Sequence, residues 1–545
     1  MPRNTRSSKS SQIARNEGPL PTHEEVVRQL LLPQAYPGKV ADVRLVQTHI
    51  SSLFFTSKHV YKVKRPVNYG FLDFTTLAKR RYYCRQEVVL NQRLSPQVYL
   101  GVVEIREQDG RLSIEGQGRT VEYAVKMRQL PNERSLATLL QKGEATAQDL
   151  RRLGGLVANF HRNAMSTPAI TRQGGLKAVV KNVRENFRQT KKYVGLCLTQ
   201  DTYDDIVAYN QAFMAEKEDL FHRREAKGCI RDCHGDMQAA DIFFVDGIQI
   251  LDCIEFNRRF RYGDVASEVA FLAMDLEFHH RSNLAQAYVQ AYIGASQDNG
   301  LMEMLDFYKC YRAYVRAKVT SFRLDDPTLP AEQRQEVIAT AQAYYNLAHS
   351  YAGVIPQPSL FLVIGLMGTG KSTVAEDLAR RRNAAYISSD ITRKNLASVA
   401  PTEHRYESFG QGIYAPGMSR DTYDTMVSQA RDHLARGRSV VLDATFRSTQ
   451  DRQRAVDAAR SAGVETWIVE CTAPVEVIRR RVKQRQREGS SVSDARWELF
   501  HQQQAEWEPV HEVPTQRYIL LDTSHPRQRV FLELLQRLYA GALRS

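Results

Sequence analysis

The segment Gly365-Leu366-Met367-Gly368-Thr369-Gly370-Lys371-Ser372 satisfies the spacing GxxxxGK[ST] in full. Few folds accommodate such a run. Its glycines let consecutive backbone N–H groups curl around an anion, where a Cβ would obstruct the turn. Lys371 has the reach for β- and γ-phosphates, and the Ser372 hydroxyl can ligate Mg2+. The loop works only between a strand and a helix whose positive end faces the same anion. Here the β-rich run SLFLVI precedes it, and TVAEDLARRR, from Thr373, reads as the helix. Gly365, Gly368, Thr369, Gly370, Lys371, Ser372 and Thr373 are therefore expected to cradle a nucleotide.

The texture around this loop supports the expectation. FLVIG, AYISS, SVVLD, TWIVE and RYILL are short β-rich runs separated by longer helical stretches. Such alternation predicts a parallel sheet covered by helices, the α/β architecture of P-loop NTPases. Asp390 closes AYISSD, at the carboxyl edge where ligands bind. Arg393 lies one helical turn further on. The carboxylate can orient or deprotonate an attacking hydroxyl while the arginine holds substrate or the transferred phosphoryl group. A helix N-cap is the simpler role for Asp390. Asp443 closes RSVVLD in the same way and is expected to act on Mg2+ through water, or on substrate. In RRRVKQRQR, Arg481 and Arg485 are four apart and share a helix face. A lid that brings them onto the γ-phosphate would exclude water; a solvated basic face or an RNA-binding helix are the alternatives. SerAspAlaArg at 493–496, with Arg496, extends the same lid.

The loop, the DxxR pair Asp390/Arg393 and the RVKQR lid resemble the small P-loop kinases grouped with phage polynucleotide 5′-kinase, zeta toxins and shikimate or gluconate kinases. The resemblance covers roughly 356–545 and implies phosphoryl transfer without naming an acceptor.

A second constellation lies upstream. Cys233-His234-Gly235-Asp236 is followed by Asp241, then by IFFV-DG-IQIL, a hairpin turning on Asp246-Gly247, and then by Asp252. Protein kinases order H-R-D-x-x-x-x-N and a later Asp in this way. The pattern also resembles the aminoglycoside phosphotransferase and choline kinase group, whose usual form is HGDxHxxN. That resemblance implies Asp236 as the catalytic carboxylate and Asp241 and Asp252 as Mg2+ ligands. It also implies a strand lysine, Lys62 or Lys64, paired with Glu87 over the α/β-phosphates. Lys62 is preferred, since Val60 two residues earlier would lie against adenine. Three departures stand out: Gln238 replaces the second His, Asp241 replaces the Asn, and SSLFFTSKHVYK lacks a GxGxxG loop. A buried polar turn at His234-Gly235-Asp236 is the bland alternative. YKVKRPVNYGFLDF, LDCIEFNRRFRYGDVASEVAFLAMDL, ISSDITRKNLA and VVLDATF together resemble bacterial two-part proteins that join an aminoglycoside phosphotransferase-like domain to an ATP-binding kinase domain.

The expected organisation is a disordered basic tail at 1–22, an α+β bilobal kinase-like domain at 23–355 and the α/β P-loop kinase domain at 356–545. VIPQPS marks the boundary. The chain has 545 residues, 43% hydrophobic and 25% charged, which excludes wholesale disorder. Its +14 charge is dispersed rather than gathered in a stripe, as suits polyanionic substrates such as nucleotides. Seven cysteines show no CxxC, and no His or Cys cluster in sequence turns Cys229 and Cys233 into a zinc site, so reduced thiols are expected. The N-terminus lacks the apolar core of a secretory signal, and Leu360 to Met367 falls short of the ~20 residues that span a bilayer. A cytoplasmic protein with no membrane partner is expected. The leading reading is a bifunctional ATP- and Mg2+-dependent kinase acting on a small-molecule hydroxyl. A polynucleotide 5′-hydroxyl kinase, with nucleic acid as partner, ranks second, and an ATP-binding regulator with an inactive kinase-like domain third.

Overall fold

The computed structural model describes residues 19–400, 411–488 and 497–544. The expected tail, as far as residue 18, and the 493–496 end of the expected lid lie outside the described residues. The chain forms two compact units, and each is discontinuous in sequence. One comprises residues up to Gln173 with Ile230–Asp298; the other comprises Gly174–Cys229 with everything from Asn299 onward. The boundary expected at 355–356 therefore falls inside the second unit.

In the first unit, β1 (Arg44–Gln47), β2 (Ser51–Phe55), β3 (His59–Lys64), β4 (Tyr99–Gln108), β5 (Arg111–Ile114) and β6 (Arg119–Arg128) form an antiparallel sheet in the order β1-β2-β3-β6-β4-β5. The two-residue period of β3 sorts its side chains. Tyr61 and Val63 join a core with Phe54, Val103 and Ile105, while Val60 joins Cys84, Val88, Tyr99 and Val125 on the other face. Lys62 and Lys64 follow Val60 on that second face, and both are buried. The alternation of cationic and apolar residues thus marks no solvated face. It marks a face where charge is paired.

The helix Leu77–Asn91, N-capped by Thr76, supplies the partner that both lysines share, Glu87. Downstream come β7 (Ile230–Asp232), β8 (Ile242–Phe243), β9 (Gln249–Ile250) and β10 (Tyr262–Asp264), with β7 paired to β10 and β8 to β9. Ile242 pairs with Ile250 and Phe243 with Gln249, so residues 244–248 connect the strands. The expected two-residue turn is a five-residue loop instead, although Asp246 and Gly247 do take positive φ. This register buries Ile242 and Ile250 together. The helix Val265–Phe278 runs beneath these short strands, almost wholly buried.

In the second unit, β11 (Ser359–Ile364), β12 (Ala385–Ser388), β13 (Val440–Asp443), β14 (Glu465–Thr472) and β15 (Tyr518–Asp522) form a wholly parallel sheet in the order β12-β13-β11-β14-β15. All six residues of β11 are buried, as expected for a central strand covered on both faces. Leu360, Leu362, Val440, Leu442 and Ile468 anchor one core layer. The helices at 200–216 and 301–351 belong to this unit for a physical reason: Arg381, at the end of the helix after the glycine loop, pairs with Asp201 at 3.2 Å and Asp204 at 3.0 Å. The ring of Tyr209 packs 6.0 Å from that of Tyr539. Among the described residues no helix is long and apolar enough to cross a membrane.

Candidate active sites

The glycine loop follows β11 directly, and the helix Lys371–Arg381 starts from Gly370, two residues before the expected Thr373. Gly365, Gly368 and Gly370 all have positive φ, and a Cβ on Gly365 would lie 2.5 Å from the Cys471 carbonyl oxygen. Only glycine fits that path. Thr369 is buried and donates its hydroxyl to the Leu366 carbonyl at 2.8 Å, closing the loop on itself.

Asp443 ends β13 beside this loop and is buried. Tyr386 donates to its Oδ2 at 2.7 Å, and Ser372 lies close enough to favour the charged carboxyl. Burial pushes the Asp443 carboxyl above its ordinary range, with Lys371 and Ser372 opposing and Asp390 adding to the rise. Its Oδ1 has no hydrogen-bond partner. A buried carboxylate oxygen left unpaired next to a serine hydroxyl and a lysine suits a hydrated Mg2+, so the residues present fit the metal that the loop implies.

Asp390 does not close the second strand. β12 ends at Ser388, and Asp390 sits in the first turn of Ser389–Leu396, where it is not the N-cap. The polarity of its sequence neighbours, Ser388-Ser389, shortens the strand. Arg393 lies 3.4 Å from Asp390, is buried, and stacks its guanidinium 4.8 Å over the Tyr414 ring. Arg481 and Arg485, on the helix Val475–Glu488, line one cavity of about 280 Å3 with Gly370, Thr373, Thr523 and Phe531. Arg481 donates to Thr523 Oγ1 at 3.0 Å and to its carbonyl at 2.7 Å, and Thr523 in turn donates to the Thr369 carbonyl at 2.5 Å. Thr523 thus wires the arginine helix to the glycine loop. It follows β15 by one residue, the sheet-edge position that made Asp443 noticeable, and so was findable on the same grounds.

The first unit builds its site from buried charge. Lys62 pairs with Glu87 at 2.9 Å and with Asp252. Lys64 reaches the other Glu87 oxygen at 2.6 Å and also Glu255. Both lysines therefore serve Glu87, where the sequence offered a choice between them. Burial opposes the Lys62 ammonium, but Asp252 and Glu87 outweigh it and hold its pKa well above the usual value. Burial alone would raise Glu87; the two lysines hold it at about 2.

Asp252 takes φ +68 and accepts nothing from the backbone; its own N–H donates to the Tyr99 hydroxyl at 3.1 Å. Asp241 is pushed well above the carboxylate range by burial, then by Asp252 and Asp236, with only Lys62 opposing. Asp252 and Asp236 are thus close enough to Asp241 to disfavour its charge, and carboxylate oxygens are the donors a hard divalent cation takes. Gln238 donates to Asp236 Oδ1 at 2.8 Å. The residue that replaces the usual His thus fixes the orientation of the candidate catalytic carboxylate.

The His234-Gly235-Asp236 turn is held from below by a residue that the motif did not reveal. Glu268, buried on Val265–Phe278, accepts from the His234 N–H at 2.8 Å and the Gly235 N–H at 2.5 Å, and His161 donates to it at 2.7 Å. Burial would raise Glu268, but His161 and His234 bring it down to about 2. Seven residues on, Asp275 accepts from the Ala239 N–H at 2.8 Å. Two acids on one face of an otherwise apolar helix were the available signal. The ring of His234 donates from Nε2 to the Leu251 carbonyl at 2.9 Å, tying the turn to the residue before Asp252. Gly235 has φ +93, and a Cβ there would lie 2.9 Å from the Phe260 carbonyl. Arg93 donates to the Asp232 and Cys233 carbonyls, each at 2.9 Å.

Cys233 does acquire neighbours in space: His161, Cys233 and Glu268 place potential ligand atoms within 4.8 Å of one another. Glu268 is already engaged by two N–H groups and His161, and burial pushes the Cys233 thiol well up, so the cluster reads as internal support for the turn. All seven cysteines are free.

Residues 360–510 match the family described as AAA domain. Over 496 residues the chain is 32% identical to the uncharacterized protein Rv2004c of Mycobacterium tuberculosis (strain ATCC 25618 / H37Rv), covering 90% of this chain and 93% of that one. The uncharacterized protein Mb2027c of Mycobacterium bovis gives the same figures. Among solved structures, aminoglycoside 2′-phosphotransferase-IIIa in its GDP complex aligns with 56% of this chain and 93% of its own, at 12% identity and TM-score 0.37. The APS kinase CysC of Mycobacterium tuberculosis, in complex with AMPPNP and APS, aligns with 34% of this chain and 98% of its own, at 18% identity and TM-score 0.25.

Proposed function

The chain belongs to the family of these mycobacterial proteins, which it matches across both units, and we propose that it is an ATP- and Mg2+-dependent phosphotransferase with a nucleotide site in each unit. The acceptor in this reading is a hydroxyl of a small molecule. The observation that carries it is the unpaired Asp443 Oδ1 set against Ser372 and Lys371 at the mouth of the glycine loop. Lys371 holds the β/γ-phosphates; Ser372, and Asp443 through water, would hold Mg2+, which when bound would supply positive charge at the phosphates. Asp390 orients the acceptor hydroxyl or takes its proton, and Arg393, Arg481 and Arg485 balance charge on the transferring group. In the first unit, Lys62 and Glu87 orient the α/β-phosphates, Asp241 and Asp252 supply oxygens to Mg2+, and Asp236 serves the acceptor.

The test follows label from γ-labelled ATP into the metabolite, RNA and protein fractions of a cell extract, for wild type, Lys371→Ala and Asp236→Ala. Label in the metabolite fraction, lost with either variant, supports the reading and assigns the working unit. ATP binding without label in any fraction overturns it in favour of a regulator.

A nucleic-acid acceptor is the second reading. It is favoured by the exposed cations Arg479, Arg480, Lys483 and Arg487, which share a cavity of about 490 Å3 on one side of the arginine helix. It requires label in RNA and binding that weakens steeply with salt.

A further inference from the structure

Lys64 is the most buried cation of the first unit's site, and it is the strand lysine left over once the kinase pattern takes Lys62 with Glu87, Asp236, Asp241 and Asp252. It is 1% exposed, and its partners Glu87 and Glu255 are 0% and 8% exposed. Its ammonium also lies 4.8 Å over the ring of Phe74, which is fully buried. Four segments therefore meet at one atom: β3, the helix Leu77–Asn91, the run after Asp252, and the loop ahead of that helix. Other bonds follow the same seam, such as the Cys253 N–H donating to Asn91 Oδ1 at 2.9 Å, but these are neutral. Lys64 is the cation there that pairs with both Glu87 and Glu255.

Lys62 and Asp252 are engaged with each other in this structure. Nucleotide binding requires them to separate, Lys62 toward phosphate and Asp252 toward metal. Once Lys62 also serves phosphate, its charge is shared between that anion and Glu87, and a buried carboxylate short of counter-charge is strongly disfavoured. Without Lys64, Glu87 and Glu255 would both draw on Lys62 and hold it back from phosphate.

Resting on the reading of this unit as a phosphotransferase site, we propose that Lys64 is a positioning residue: as the constant counter-ion of Glu87 and Glu255 it frees Lys62 for phosphate and keeps the Asp252–Phe256 run in place for the metal.

The experiment uses the full chain carrying Lys371→Ala, which removes the second unit's contribution. Hydrolysis of ATP with water as acceptor is measured as a function of ATP and of Mg2+, with the fold followed by circular dichroism. Lys64→Met is expected to raise both the KM for ATP and the Mg2+ concentration for half-maximal rate about 10-fold or more. Lys64→Arg is expected to restore most of the rate, and Lys64→Met with Glu255→Gln should recover much of both losses because it rebalances the charge. A filler of space would not be rescued by changing its partner. Unaltered KM and Mg2+ dependence in Lys64→Met overturn the proposal, as does a loss that neither Lys64→Arg nor the double variant reverses. Lys62→Met and Asp252→Asn run alongside. If they abolish turnover while Lys64→Met is silent, only the role of Lys64 fails; if they too are silent, the phosphotransferase reading of this unit fails with it.

Discussion

The two sites solve the same electrostatic problem in opposite ways. In the second unit the groups proposed to bind phosphate come from one contiguous loop, and the strand-end carboxylate beside it keeps an oxygen unpaired. In the first, five charged residues come from three separated stretches and neutralise one another, Lys62 on Glu87 and Asp252, Lys64 on Glu87 and Glu255. An open cradle is encoded locally. A paired network is encoded by packing, and it must be partly undone before it can bind a ligand.

The largest expected effect therefore belongs to the open site. Lys371→Ala removes a cation that no neighbour replaces, and turnover by the second unit should fall about 10³-fold with the melting profile unchanged. A fall under about tenfold would mean that this loop does not carry the phosphate.

In the first unit, single changes should show in folding as well as in rate. Glu268 has a folded pKa of about 2 against an ordinary 4.5. Its value is depressed, so the stability it confers is complete above the unfolded pKa and is lost as pH falls from about 4.5 toward 2. The shift corresponds to about 3 kcal/mol, or roughly 100-fold in the folding equilibrium. Glu268→Gln should lower the melting temperature at pH 7 and flatten the acid dependence of what remains. Equal acid sensitivity in variant and wild type would remove Glu268 from this role.

Gln238 offers a finer comparison. Its amide donates to Asp236, from the position where the HGDxHxxN pattern has its second His. Gln238→Ala should cut kcat of the first unit about 10-fold, with the KM for ATP little changed, since the amide orients a carboxylate and does not touch nucleotide. An unchanged kcat would separate Asp236 from its apparent brace.

This contrast also explains what the sequence made legible. The five parallel strands and the glycine loop could be read residue by residue, because period, spacing and chemistry coincide within short windows. His234-Gly235-Asp236 and Asp252 were visible through resemblance, since their order along the chain is their signal. Glu268 and Asp275 left only the trace of two acids on a largely apolar helix, because they act through backbone N–H groups more than thirty residues away. The two compact units escaped for a similar reason: nothing near 200–216 announces that Asp201 and Asp204 answer Arg381. At Asp246-Gly247 the turn residues were read correctly but the register was not, because pairing Ile242 with Ile250 is decided by burial.

The smallest effect should arise where the open site is already braced. Asp443 accepts a bond from Tyr386 at 2.7 Å, and Ser372 and Lys371 lie close enough to favour its charged form. Tyr386→Phe removes one of these supports and keeps the ring. Because the others remain, the carboxylate should keep its place, and the Mg2+ concentration for half-maximal rate should rise only about 3-fold, with the KM for ATP unaltered. Asp252 has no comparable brace: its side chain is 53% exposed and its partner in this structure is Lys62, which nucleotide would draw away. Asp252→Asn should therefore disturb the Mg2+ dependence of the first unit far more than Tyr386→Phe disturbs that of the second. A Tyr386→Phe variant that loses Mg2+ dependence altogether would reverse the comparison and make Tyr386, rather than the loop, the element that keeps Asp443 fit for metal.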